Sequence, residues 1–298
     1  MIPGGIAMGT VGEANASGLL RLRVCWVLFV VFLALSIGAT AWPKSALPSL
    51  AALPLPFILV IHGSLLYGWR GIGLYFAIGL PVGFAFEASS IANGFPFGHF
   101  VHNVDIYKPA GVSPLALISY AFLGWIAWTL AKVIALDRPD RNQPLSRITV
   151  PLVAAFILPG IDVPMDPIGA TVDRNWTYTY PSGLFGVPLT NFLGWLLTGW
   201  VLFQLFALIE RRFTATAASR TRAYWLLPCL MWFSMTIQLP FNWIRAAAGT
   251  VSVGGRAFVI ADIYEAAVIT ALFTMVPVVL FALVRLFSRA GGWPASDS

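Results

Sequence analysis

The sequence predicts an all-α, polytopic integral membrane helical bundle of about eight transmembrane helices, and three observations predict it. Of 298 residues, 58% are hydrophobic and only 10% charged, with a mean hydropathy of +0.81, whereas a soluble domain carries roughly 25% charged residues. So few charges cannot cover a water-facing surface. Apolar runs of about 20 residues, the length that crosses a roughly 30 Å hydrocarbon core as helix, recur along the chain. Lysine and arginine alternate between dense and sparse segments from one gap to the next, as the positive-inside rule requires.

In order, the mostly apolar runs are 24–43, 46–67, 71–90, 114–132, 148–165, 187–209, 223–243 and 258–286. Prolines 54, 56, 81, 228 and 277 inside them suit membrane helices and imply kinks. Arg21 to Arg23, the first run and Ala39-Thr40-Ala41 resemble a signal peptide. The run exceeds a usual h-region, so it is read as a retained span. With the N-terminus inside, 13 of the 18 basic residues fall in inner segments, against five outside: Lys44, Lys108, Arg174, Arg245 and Arg256. The reading is a single transmembrane domain over 1–298 in the cell inner (plasma) membrane with both termini cytoplasmic. Residues 1–20 form a flexible N-terminal segment and 288–298 a flexible tail. The net charge of +6 is then a topology signal. No basic patch interleaved with aromatics points to a nucleic-acid partner. Cys25 and Cys229 sit in apolar runs, which implies no disulfide framework.

Two segments echo each other. Glu87 is followed by Gly111-Val112 and Leu123-Gly124-Trp125; Asp162 is followed by Gly186-Val187 and Leu193-Gly194-Trp195. From acid to Gly-Val the distance is 24 residues in both. This predicts a parallel internal repeat of helix pairs: a rising helix with an acid near its outer end, a long loop, and a returning helix.

Five of the 12 acids (Glu13, Asp137, Asp140, Glu210, Asp297) fall in inner segments as ordinary surface charges, and the rest lie at the outer side. Glu87 is about 24 Å up its span and Asp162 about 21 Å up its own, at 1.5 Å per residue, so both lie inside the hydrocarbon. Asp166 follows Asp162 by one turn if the helix continues past Pro164. Asp262 and Glu265, three apart, share a helix face, and Asn191, Gln238 and Asn242 sit at similar depth. A charge at mid-membrane costs at least about 2.5 kcal/mol, so the convergence predicts one polar site inside the bundle. Carboxyls crowded away from water can keep one of their number as a neutral acid. Asp105 and Asp173 are read as plain loop residues.

Other chemistry is excluded by what is missing. Three histidines (His62, His99, His102) are too few for a membrane di-iron oxygenase, and no Walker loop, nucleotide-binding glycine motif or GxSxG is present. No metal site is expected. Asp162-Val-Pro-Met-Asp166 matches the DxxxD pattern of intramembrane prenyltransferases, yet few basic residues lie outside to hold a diphosphate.

At these same residues the chain resembles the membrane carotenoid-biosynthesis proteins that include carotenoid 1,2-hydratases acting on gamma-carotene or bisanhydrobacterioruberin. The likeness is carried first by Glu87-Ala-Ser-Ser, Gly94-Phe-Pro-Phe-Gly98 and Gly111-Val-Ser-Pro114. The more specific block is Asp162-Val-Pro-Met-Asp166-Pro167, Trp176-Thr-Tyr178 and Phe185-Gly-Val-Pro188-Leu-Thr-Asn191-Phe-Leu-Gly-Trp195. The sequence departs from the family pattern at His99 and His102, where tyrosines are expected, and at Tyr178, where tryptophan is usual.

The resemblance implies a cofactor-free hydro-lyase that adds water to a terminal isoprenoid double bond of an acyclic carotenoid. A carboxylic acid protonates the double bond, a tertiary cation forms, and water captures it. It points to Glu87 and Asp166 as the acid/base pair, with Asp162 governing its neighbour's proton and Asn191 positioning water. Trp176, Tyr178, Tyr180 and Phe185 would face the cation, and Asp262 and Glu265 would complete the substrate site. The expected partners are the carotenoid and membrane lipid. Two alternatives remain open: a carotene cyclase or prenyltransferase-like enzyme using the same acids, and a proton-coupled transporter of lipids or small molecules.

Overall fold

A computed structural model describes residues 7–42, 45–136, 145–213 and 215–288. Residues 1–6 and 289–298 of the two expected flexible ends lie outside the described residues, as do Lys44, Asp137, Arg138, Asp140 and Arg141 from the charge reading.

The chain is mainly helical. Helix α1 runs Ala7–Ala41, so 7–20 continues the first helix, and a short α2 follows at Leu47–Ala52. Helix α3, Pro54–Asn93, breaks at Gly68 (φ 67°, ψ 173°), a conformation open to glycine and closed to most residues. The chain doubles back there: a Cβ on Gly63 would run into Ile72, and one on Gly71 into Tyr67. Gly94, left-handed at φ 85°, ends α3 with its N–H on Ser90 O. Helix α4, Pro114–Ile134, starts with proline at its first position and the Ser113 hydroxyl accepting from Leu115 N. Helices α5, Ser146–Ile157, and α6, Pro159–Pro167, run on into a wide turn at Ile168–Val172, where Asp173 N donates to Ile168 O. Then come α7 (Leu189–Ala207), α8 (Arg222–Ile244), α9 (Ile260–Thr274) and α10 (Val276–Phe287).

Among the described residues six runs are long and apolar enough to cross a membrane: Ala16–Ala41, Leu50–Asn93, Pro114–Ile134, Ser146–Val172, Leu189–Arg212 and Ile260–Phe287. The sequence reading counted eight. The difference lies in the Leu50–Asn93 run, which contains the Gly68 break, and in α8, whose composition is less apolar. Helix α4 is the most enclosed, with Tyr120, Trp125 and Trp128 all buried. Val27, Val30, Phe281 and Val284 are exposed on the outside of the bundle, as expected of helices whose solvent is lipid.

Two small sheets interrupt the helices. Strands β1 (Phe100–His102) and β2 (Trp176–Tyr178) pair antiparallel, and so do β3 (Thr250–Val253) and β4 (Arg256–Val259). The β1–β2 pair joins the two long loops that follow Glu87 and Asp162.

Candidate active site

Three carboxyls reach one place from two helices. Glu87 lies two turns before the end of α3. Asp162 and Asp166 lie on α6, which continues through Pro164, so they stand one turn apart on one face. All three are buried, at 5, 7 and 3% exposure, and all line one cavity of about 280 Å3.

The β1–β2 ladder supplies the opposite wall. Phe100 pairs with Tyr178 and His102 with Trp176. Alternate residues of a strand, and their cross-strand partners, share a face. These four side chains therefore point the same way, and all four line the cavity. The ladder is held in register by Asn103, whose side-chain amide donates to Arg174 O at 2.8 Å and Thr177 Oγ1 at 2.7 Å. Lys108 Nζ donates to the carbonyls of His102 at 2.9 Å and Val104 at 2.8 Å. Phe97, Trp195 and the start of α4 close the remaining sides.

Each carboxyl has its own donors. Glu87 Oε1 accepts from the Tyr120 hydroxyl at 3.0 Å, and Oε2 lies 3.0 Å from His102 Nε2. Asn191 Nδ2 donates to Asp162 Oδ2 at 2.8 Å and to Asp166 Oδ2 at 2.9 Å. The Tyr178 hydroxyl also donates to Asp166 Oδ2, at 2.8 Å. Burial, reinforced by the nearby aspartates, pushes the Tyr178 phenol well above its usual range, so it stays a donor. Among the described residues, no lysine or arginine lines this cavity. Among the described residues, no group of three or more histidine, cysteine or acidic side chains is arranged to hold a metal ion.

Glu87, Asp162, Asp166, Asn191, Trp176 and Tyr178 are thus brought together as expected. The Asn191 amide nitrogen is engaged with both aspartates. Four expected residues lie elsewhere. Asp262 and Glu265 share a face of α9, as their spacing requires, but that face is exposed. Tyr180, 73% exposed, stands by His99 in a second cavity of about 410 Å3. Phe185 packs edge-on to Phe258, with ring centres 5.5 Å apart. Gln238 and Asn242 do not line the cavity either.

Comparison with known proteins places the chain in a family. The family described as "Carotenoid biosynthesis protein" matches residues 49–261, which takes in every residue of the cavity. The chain belongs to this family. It is also similar to a bisanhydrobacterioruberin hydratase from Haloarcula japonica, 30% identical over 124 residues, or 41% of this chain and 40% of that protein. The match thus spans about two-fifths of the relative's length. No solved structure matches the chain. Together with the apolar helices, membership makes this a membrane protein of carotenoid biosynthesis.

Sequence reasoning missed Tyr120 and gave His102 no role in the site. A tyrosine inside an apolar helix was the available signal, because a buried phenol seeks a partner. Nothing in the spacing says that the partner is Glu87.

Proposed function

We propose that the chain is a hydratase of acyclic carotenoid ends. The observation that carries this reading is three buried carboxyls around one cavity whose other walls are aromatic. Asp162 and Asp166 share one amide nitrogen, that of Asn191, and among the described residues no lysine or arginine lines the cavity. Two carboxylates so close repel each other, which suits them to share one proton. Asp166 is the donor: its proton goes to the less substituted carbon of the terminal double bond, leaving a tertiary cation. Water oxygen bonds to the cationic, more substituted carbon, and Glu87 takes the water's proton. Glu87 is suited to the charged, accepting role because Tyr120 and His102 both serve it. Trp176, Tyr178 and Trp195 offer ring faces to the cation. The net change is one water added, and no step calls for a redox cofactor.

The same reading takes the chain through the plasma membrane eight times with both ends cytoplasmic. The Gly68 break would divide one long run into two crossings, and α8 would add another. A parallel repeat fits the left-handed Gly111 (φ 80°) and Gly186 (φ 99°), each 24 residues beyond its acid.

Pigment analysis tests the reading. The gene is expressed in a bacterium that accumulates lycopene or gamma-carotene, beside Glu87→Gln and Asp166→Asn. A pigment heavier by one water, absent from both variants, is expected. An isomeric pigment would replace the hydratase with a cyclase, and unchanged pigment from well-expressed protein would favour transport.

A further inference from the structure

Hydration brings two partners of opposite character to the same carbons, an apolar chain end and a water molecule. The carboxyl cavity suits the first, because Phe97, Phe100, Trp176 and Trp195 wall it. Once a chain end fills that space, water needs another way in.

A second cavity, of about 410 Å3, lies directly behind the wall. Asn93, His99, Tyr180, Ser182 and Thr190 line it, and all but His99 are exposed. Such a space is open to the surface and offers water the polar partners it requires. The partition between the two cavities is one residue thick. Phe97 lines the first and Gly98 the second, Asn191 the first and Thr190 the second, and Tyr178 lines both. Thr190 Oγ1 donates to Phe97 O at 3.2 Å and ties two edges of the partition together. Gly98, left-handed at φ 92°, keeps that place thin, because a Cβ there would come 3.1 Å from Thr190 Oγ1. On the far side of the partition the Tyr178 hydroxyl meets Asp166 Oδ2 at 2.8 Å. The polar chamber thus ends one phenol away from the carboxyls.

Resting on the hydratase reading, we infer that the second cavity is a water vestibule, which feeds the reaction past Tyr178 while an isoprenoid end occupies the first cavity. Each water that passes gives its oxygen to the cationic carbon and one proton to Glu87, and its other hydrogen stays in the new hydroxyl. A cation left waiting for water has another outlet. It loses a proton from a neighbouring carbon to a carboxylate and returns to an alkene. The ratio of return to hydration therefore reports the water supply and does not depend on how much of the protein is active.

The test follows lycopene with the purified full-length protein in detergent–lipid micelles made up in D2O. Mass spectrometry measures the hydrated product, and it measures return as deuterium on carbon in recovered lycopene and its isomers. Tyr180→Leu with Ser182→Leu removes two hydroxyls from the vestibule and should raise the ratio about tenfold, the worth of two hydrogen bonds to passing water. Leu189→Ser adds one hydroxyl to the same lining and should lower the ratio about threefold. Leu189 is exposed, so this variant gives a result even where the double variant fails to fold. A purely structural role would slow return and hydration together. An unchanged ratio in either variant would overturn the inference and leave the hydratase reading standing. So would a rise confined to Asn175→Leu, which dries the exposed rim of the first cavity. Wild-type protein that neither hydrates nor labels lycopene would overturn both.

Discussion

The bundle holds two buried acidic clusters at opposite ends of α4 and α7, and they are built differently. At one end Glu210 lies among Lys132, Tyr67 and Trp128. Lys132 Nζ reaches its two carboxylate oxygens at 2.9 and 3.1 Å, the Tyr67 hydroxyl donates to it, and Trp128 Nε1 donates to Tyr67 at 2.9 Å. The sequence reading took Glu210 for an ordinary surface charge; it is buried because a lysine from the neighbouring helix neutralises it. At the other end Glu87, Asp162 and Asp166 face an open cavity with a histidine, an amide and phenols for partners. An acid matched by a fixed cation has no proton to trade. Three acids served by neutral donors and one histidine, beside space for a guest, are equipped for proton transfer.

Breaking the second cluster should abolish chemistry and spare the fold. Glu87→Gln and Asp166→Asn are expected to cut product formation by roughly 10²–10⁴-fold, the usual worth of a general acid or base, with unchanged yield of folded protein on size-exclusion chromatography in detergent. Breaking the first should do the reverse. Lys132→Met strands a buried carboxylate and should destabilise by about 3–5 kcal/mol, read as a lower melting temperature in detergent. Adding Glu210→Gln should recover much of that loss.

Smaller effects sharpen the contrast. Tyr178→Phe removes one donor to Asp166 and should cost about tenfold in rate, with a stability change near 1 kcal/mol. Because burial raises the folded phenol above its ordinary value near 10, the Tyr178 hydrogen bond is fully present below that pH and is lost only as pH rises through the raised folded value. The rate difference between wild type and Tyr178→Phe should therefore persist at every pH up to about 10. Smallest of all, Asp262→Asn and Glu265→Gln should change turnover by no more than about twofold, as exposed substitutions usually do. A large loss there would return α9 to the site.

Much of this was legible because lipid is an unforgiving solvent. Carboxyls inside an apolar run have few reasons to exist, and this alone singled out Glu87 and Asp162. Helical spacing then supplied Asp166, once α6 proved to run through Pro164. The gap between the second and third apolar runs falls at Gly68 to Arg70, where the chain reverses. What could not be read depends on which face turns inward. Asp262 and Glu265 obey the same helical spacing rule as Asp162 and Asp166 but lie on an exposed face, away from the cavity. His102 reaches Glu87 only through the pairing of two short strands 76 residues apart at their centres (Val101 with Thr177), and no local pattern encodes that register.

That ladder carries a consequence for how the protein can vary. Four of its six side chains (Phe100, His102, Trp176 and Tyr178) form the cavity's wall, while Val101 and Thr177 face away. Because side chains alternate, inserting or deleting one residue in either strand would turn the wall inside out, presenting a valine or threonine to the carboxyls and an imidazole or indole to the outside. Substitution at Val101 is comparatively free, that at Thr177 less so because its hydroxyl accepts from Asn103, and the strands' length is not free. A change of identity on the inner face, by contrast, swaps one tile without moving its neighbours. The histidine at 102 and the tyrosine at 178 are two such tiles, each placing a hydrogen-bonding group against an acid, Glu87 and Asp166 respectively.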